Sequence, residues 1–134
     1  MGLDMYVYTA PVGLVGDQQV DITGLCDANR NILPEVNRNF AYWRKFDNLH
    51  WWMKILYRSK GGTDLEFNLN TVRLMSEDLD KLAQDVSRLT PQAWFFWGDQ
   101  EDMDAESIKK VSDFIDRART AIAEGKAVIY NSWW

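Results

Sequence analysis

Apolar and polar positions alternate in part between Leu3 and Thr9, where Tyr6, Val7 and Tyr8 favour extended backbone, and Pro11, Gly13 and Gly16 then break the pattern. The spacing predicts a first strand entering a loop. From Val20 to Pro34 polar residues and Gly24 leave only loop or a short strand. Between about Asn39 and Tyr57 the period becomes helical: Trp43, Phe46, Leu49, His50, Met53, Leu56 and Tyr57 recur on one face, and Gly61-Gly62 stops the run. Leu65, Phe67 and Leu69 alternate with polar neighbours, as a half-buried strand does. Ser76, followed by Glu77, Asp78 and Asp80, predicts the N-cap of a second helix through Leu89, with Leu79, Leu82, Val86 and Leu89 inward and Thr90-Pro91 as its stop. A third helix from about Asp104 to Glu124 carries Ile108, Val111, Ile115, Ala118 and Ile122 on one side and ends at Gly125. Ala127 to Tyr130 is β-branched and aromatic, a final strand. The expected fold class is therefore α+β, about three helices packed on a small antiparallel sheet, in a single globular domain covering residues 1–134.

Composition narrows the class without naming an activity. A chain of 134 residues with 46% hydrophobic and 26% charged residues has the balance of one folded core rather than of a disordered segment. The longest apolar run, Ala93 to Trp97, is far short of the roughly 20 residues a membrane span needs. The N-terminus has Asp4 and no basic or long apolar region, so no secretory signal is expected. One cysteine, Cys26, forms no internal disulfide and no multi-cysteine metal site, which fits the cytoplasm. The net charge of −5 conceals a basic stretch from Arg30 to Lys60, seven basic residues against Glu35 and Asp47. That stretch on an acidic body argues against nucleic acid as the main partner, because dedicated nucleic-acid binders are basic overall.

Aromatic residues change the picture most. Seven tryptophans fall in clusters, and the adjacent pairs Trp51-Trp52 and Trp133-Trp134 cannot point the same way on a helix or strand. Most of these rings are expected in the core, with one member of each pair a candidate for exposure as a partner-binding anchor. Candidate chemistry is sparse. The single histidine, His50, has Asp47 at i−3 and Lys54 at i+4, but a lone histidine among tryptophans reads first as a packed core residue. Arg44 and Asn48 are spaced to line a face with Trp51 or Trp52 that would suit an anion or a partner carboxylate. The run from Asp99 to Glu106, including Glu101, Asp102 and Asp104, lacks the glycine and terminal glutamate spacing of a calcium loop. It reads as acids ahead of a helix. Phosphate-loop, dinucleotide, zinc-protease and nucleophile-elbow motifs are missing, so no catalytic residue, metal or cofactor is assigned.

Four landmarks together carry a resemblance: Met1-Gly2-Leu3-Asp4-Met5-Tyr6; Tyr42-Trp43-Arg44-Lys45 with His50 and Trp52; Trp94-Phe95-Phe96-Trp97-Gly98; and Tyr130-Asn131-Ser132-Trp133-Trp134. They span the chain, which resembles a family of small uncharacterised bacteriophage and mobile-element proteins. The third landmark departs from that family's more typical Phe-Phe-Phe-Gly, and the acidic run stands where aromatic residues often follow. The resemblance implies a non-enzymatic phage accessory protein, acting in the bacterial cytoplasm. It would bind and modulate or inhibit a host protein, such as a nuclease-based defence complex, in the manner of an anti-CRISPR. The partner-binding residues expected on that reading are Arg44, Asn48, Trp51, Trp52, Asp99, Glu101, Asp102, Asp104 and Trp134. The alternative is a small enzyme or ligand-binding domain with a pocket formed by Tyr42, Arg44, His50 and Trp52. A third arrangement is a homo-oligomer that buries the C-terminal strand.

Overall fold

The computed structural model describes residues 2–86 and 105–134. Strand β1 (Asp4–Pro11) runs into the short helix α1 (Val12–Val15), a long loop, strand β2 (Asn37–Arg44) and helix α2 (Asp47–Ser59). Strand β3 (Val72–Leu74), helix α3 (Ser76–Asp85), helix α4 (Ala105–Ala123) and strand β4 (Lys126–Trp133) complete the described chain. The four strands form one antiparallel sheet in the order β2-β1-β4-β3, so the first and last strands of the sequence lie side by side at its centre. This is an α+β fold in which the described residues form four helices, one more than the expected three, the extra one being the single turn α1.

Strand alternation divides the sheet residues between two cores. Met5, Val7, Trp43, Val72, Leu74, Val128 and Tyr130 face the layer formed by α2, α3 and α4, which supply Leu49, Met53, Tyr57, Leu79, Leu82, Phe114 and Ile115. Tyr8, Ala10, Ala127 and Ile129 face the other way and are covered by Val15, Leu25 and Val36 from the segment after β1. That covering segment is tied down at one tight approach: a side chain on Gly24 would place its Cβ 1.8 Å from the Leu14 carbonyl oxygen. Gly125, at φ +84°, supplies the left-handed residue that lets α4 turn back into β4.

Three expectations need correction. The helix expected from Asn39 begins only at Asp47, and Asn37–Arg44 is strand β2. Trp43 matched the helical stripe by spacing but packs into the same core from a strand, edge-on to Phe114 at 5.1 Å. The strand expected at Leu65–Leu69 is a loop: Phe67 is buried and has φ 50°, while Leu65 and Leu69 are exposed. The short strand lies a few residues later, at Val72–Leu74, where Thr71 and Arg73 bond the Gln19–Ile22 segment through backbone and side chain. Ser76 is the first helical residue rather than the cap; Met75 holds the cap position, and its N–H donates to the Asp78 carboxylate at 2.8 Å. The expected end of this helix at Leu89 and Pro91, and the start of the next at Asp104, lie outside the described residues.

Candidate functional site

At one end of the sheet the covering segment stops short, and among the described residues nothing covers the second face there. Its side chains follow from the register. Asp4 sits between Arg44 and Trp133, and in the next row Tyr6 sits between Tyr42 and Asn131. Because Met5 and Trp43 turn inward, these neighbours turn away from the helices. The Tyr42 hydroxyl donates to Asp4 Oδ1 at 2.6 Å, Arg44 Nε lies 3.9 Å from the same oxygen, and the Tyr6 and Tyr42 rings approach at 5.3 Å. The hydrogen bond to Asp4, some desolvation and the negative charge of Asp4 push the Tyr42 phenol above its ordinary pKa. Tyr42 is 53% exposed and Trp133 57%, large rings held on strands without being buried.

The surface continues around the end of β4. Asn68 donates to the Trp134 carbonyl oxygen at 2.8 Å and accepts from the Trp134 N–H at 3.1 Å, and the Trp134 indole donates to the Phe67 carbonyl oxygen at 3.3 Å. The last residue is thus anchored by its backbone and indole N–H while its ring stays 42% exposed. Leu65 and Leu69, on the same loop as Asn68, add exposed apolar side chains. Tryptophan, tyrosine and arginine are the residues that most often carry protein-binding energy, and here they are fixed in place by strands and side-chain bonds.

His50 belongs to the other side of the sheet. Its Nδ1 and the Tyr130 hydroxyl share a hydrogen bond at 2.7 Å, and its ring lies 5.1 Å from that of Phe67. Burial, assisted by the nearby Lys54 charge, lowers its pKa to about 4, and burial pushes the Tyr130 phenol well above its usual value. The pair is a neutral core contact joining α2 to β4.

This contact has a pH signature. With a folded pKa of about 4 against about 6.5 for an unperturbed histidine, the unfolded chain binds the additional proton between those values. Stability therefore falls as pH drops from about 6.5 to about 4, by about 3 kcal/mol in all. Urea-unfolding midpoints measured across that window should show the decline, and His50→Gln should remove this component of it. An identical pH slope in the variant would place the titration elsewhere.

The four residues of the expected ligand pocket do not come together. Tyr42 and Arg44 point to the open sheet face, whereas His50 and Trp52 lie on α2 against the opposite face. Trp52 is half-buried and donates from Nε1 to Asp85 Oδ2 at 3.0 Å; Trp51 is half-buried with Lys54 Nζ 4.6 Å from its ring centre. Neither member of that pair is the exposed one, and at the C-terminus both Trp133 and Trp134 are exposed. Of the expected partner-binding residues, Arg44 lies at the open face, Trp134 is exposed just beyond the end of β4 against the Phe67–Asn68 loop, and Asn48, Trp51 and Trp52 ride on α2. Asp99, Glu101, Asp102 and Asp104 lie outside the described residues. Asp4, Tyr6 and Trp133 were not among the expected site residues. All three stand in the landmark segments near the two ends of the sequence, but which face they occupy follows only from strand alternation around Met5 and Trp43 and from the pairing of β1 with both β2 and β4.

Among the described residues no group of histidine, cysteine and acidic side chains is arranged to hold a metal ion, and no described helix is long and apolar enough to cross a membrane. No protein-family model matches the chain, and comparison with curated proteins and with solved structures yields no match.

Proposed function

We propose that this chain is a non-enzymatic protein-binding module, a phage accessory protein that binds and inhibits a host protein, with a nuclease-based defence complex as the target class. The observation that carries the reading is the open end of the sheet, where Tyr42, Arg44 and Trp133 stand exposed on a rigid backbone beside Asp4 and Tyr6. Three of the four sequence landmarks contribute to it: Asp4 and Tyr6 from the first, Tyr42 and Arg44 from the second, Trp133 and Trp134 from the last. Their convergence on a surface rather than in the core supports a shared role in contact with another molecule, since residues needed only for packing would turn inward.

The test is affinity capture of the tagged chain from a bacterial host lysate, beside a Tyr42→Ala/Trp133→Ala variant shown by circular dichroism to remain folded. Losing two anchor rings, each worth about 2 kcal/mol, should weaken a genuine partner on the order of 100-fold or more. A host protein retained equally by both forms would overturn the assignment of this surface. Adding the purified chain to the captured complex and measuring DNA cleavage tests inhibition: undiminished cleavage would remove the defence target class and leave the binding module.

A further inference from the structure

The two edges of the sheet are treated differently. On the β3 edge, Val20 bridges Val72, Asp21 N–H donates to the Thr71 carbonyl at 3.0 Å and Arg73 N–H donates to the Gln19 carbonyl at 2.8 Å, so the chain closes that side with its own backbone. On the β2 edge the ladder geometry identifies which groups point outward. Lys45 N–H donates to the Leu3 carbonyl at 2.8 Å, a bond that flanks the facing pair Asp4–Arg44. In an antiparallel ladder donors and acceptors of alternate residues face the partner strand, so Trp43 and Ala41 bond to β1, and Tyr42 and Arg44 turn both N–H and C=O away from it. Among the described residues no backbone group meets them there. The next outward carbonyl, that of Phe40, accepts a hydrogen bond from Arg117 Nη2, whose guanidinium also lies 4.6 Å from the Phe40 ring centre.

From this edge we infer that the partner is engaged through an extended acidic segment that adds to the sheet as a strand alongside β2. Strand addition uses the outward amides and carbonyls for affinity and alternate side chains for selection. From Asn37 to Lys45 the charged residues are Arg38, Arg44 and Lys45, with no acid among them. A second copy of this chain would set one positive strand against another, whereas an acidic segment complements the charge. Next to the Asn37 end of this edge a shallow groove of about 290 Å³, lined by Thr9, Asn37, Phe40, Arg117, Glu124 and Lys126 among others, runs from β2 over the ends of β1 and β4, with room for one uncharged side chain of such a segment. The added strand would extend the open face just beyond Tyr42 and Arg44, so this inference rests on the proposed binding function and specifies what the partner presents.

The experiment uses the full chain, labelled with nitrogen-15, and three synthetic eight-residue peptides: alternating valine and glutamate, alternating valine and lysine, and the valine–glutamate sequence with alternate backbone nitrogens methylated. At millimolar concentration the acidic peptide should shift the amide resonances of Tyr42 and Arg44 and slow their hydrogen exchange about tenfold. The basic and the N-methylated peptides should do neither. Equal effects of the acidic and N-methylated peptides would reduce the contact to charge alone and overturn strand addition. No effect, shifts confined to other residues, or amides already protected in the free monomer would overturn it too. Sedimentation showing a dimer that protects these amides would assign the edge to a second copy. If the peptides fail while the Tyr42→Ala/Trp133→Ala variant still loses its captured protein, the binding function stands and only the edge assignment falls.

Discussion

Replacing Phe67 by alanine should lower the unfolding free energy by about 3–5 kcal/mol, the range for truncating a fully buried aromatic ring, and the melting temperature by about 10 °C or more for a domain of this size. Phe67 is fully buried although Leu65 and Leu69 on either side are exposed, so its ring is the buried apolar anchor of the loop between α2 and β3, beside the hydrogen bonds that tie the loop to the end of β4. Its ring contacts three others: Tyr57 at 4.9 Å, His50 at 5.1 Å and Tyr130 at 5.8 Å. Removing it leaves a cavity among close-packed aromatic rings, and the cost within that range depends on how far they can collapse into it. The Phe67 carbonyl also accepts from Ser132 Oγ and from the Trp134 indole, so loosening the loop should release the C-terminal end of the proposed binding surface. Thermal unfolding measures the first effect, and the Trp134 fluorescence environment and captured partner measure the second. A loss under 1 kcal/mol with unchanged capture would show that the loop is held by other contacts.

The second large effect is expected at Lys60. Its ammonium group is mostly buried, forms a close ion pair with Asp78, and donates to Gln19 Oε1 at 2.9 Å and the Arg73 carbonyl at 2.6 Å. One side chain thereby joins the end of α2 to the covering loop, to β3 and to the residue that caps α3. Lys60→Met deletes the charge and three hydrogen bonds while keeping most of the stem, leaving the Asp78 carboxylate with the Met75 N–H but no counter-charge. Breaking a buried pair on one side costs about 3–5 kcal/mol because the surviving charge remains desolvated. The double variant Lys60→Met/Asp78→Asn should recover part of that loss, since it removes the stranded charge as well. Chemical denaturation of the four forms closes the cycle. If the double variant is as unstable as the sum of the two single changes, the ion pair contributes nothing of its own and the loss belongs to the hydrogen bonds from Lys60.

Long periodic segments were the most legible part of the sequence. The stripe Val111, Ile115, Ala118 and the pair Leu79, Leu82 matched buried helical faces, because a helix two or more turns long repeats its burial signal several times. Short segments misled. Trp43 fitted a helical stripe by coincidence of spacing, and a β-favouring run of Phe40, Ala41, Tyr42 and Trp43 was absorbed into it. At Leu65–Leu69 alternation alone suggested a strand, yet the left-handed backbone at Phe67 and Leu69 breaks the extended run and leaves only Phe67 of the three apolar residues buried. The candidate site divided in the same way. Arg44 and Trp134 were named from residue type, whereas Asp4, Tyr6 and Trp133 became neighbours only through strand pairing.

By itself, then, the sequence determined the class of fold, the inward faces of its two long later helices and a supply of aromatic rings larger than one small core absorbs. Those properties are local: they depend on which residues stand within a few positions of one another. Tertiary structure decided which rings remain outside. It brought Asp4 beside both Arg44 and Trp133, sent Tyr42 and His50 to opposite faces of one sheet, and left β2 at an edge while β3 was closed by the chain itself. Strand order and register join residues more than a hundred positions apart, and a one-residue change of register would exchange the buried set for the exposed one.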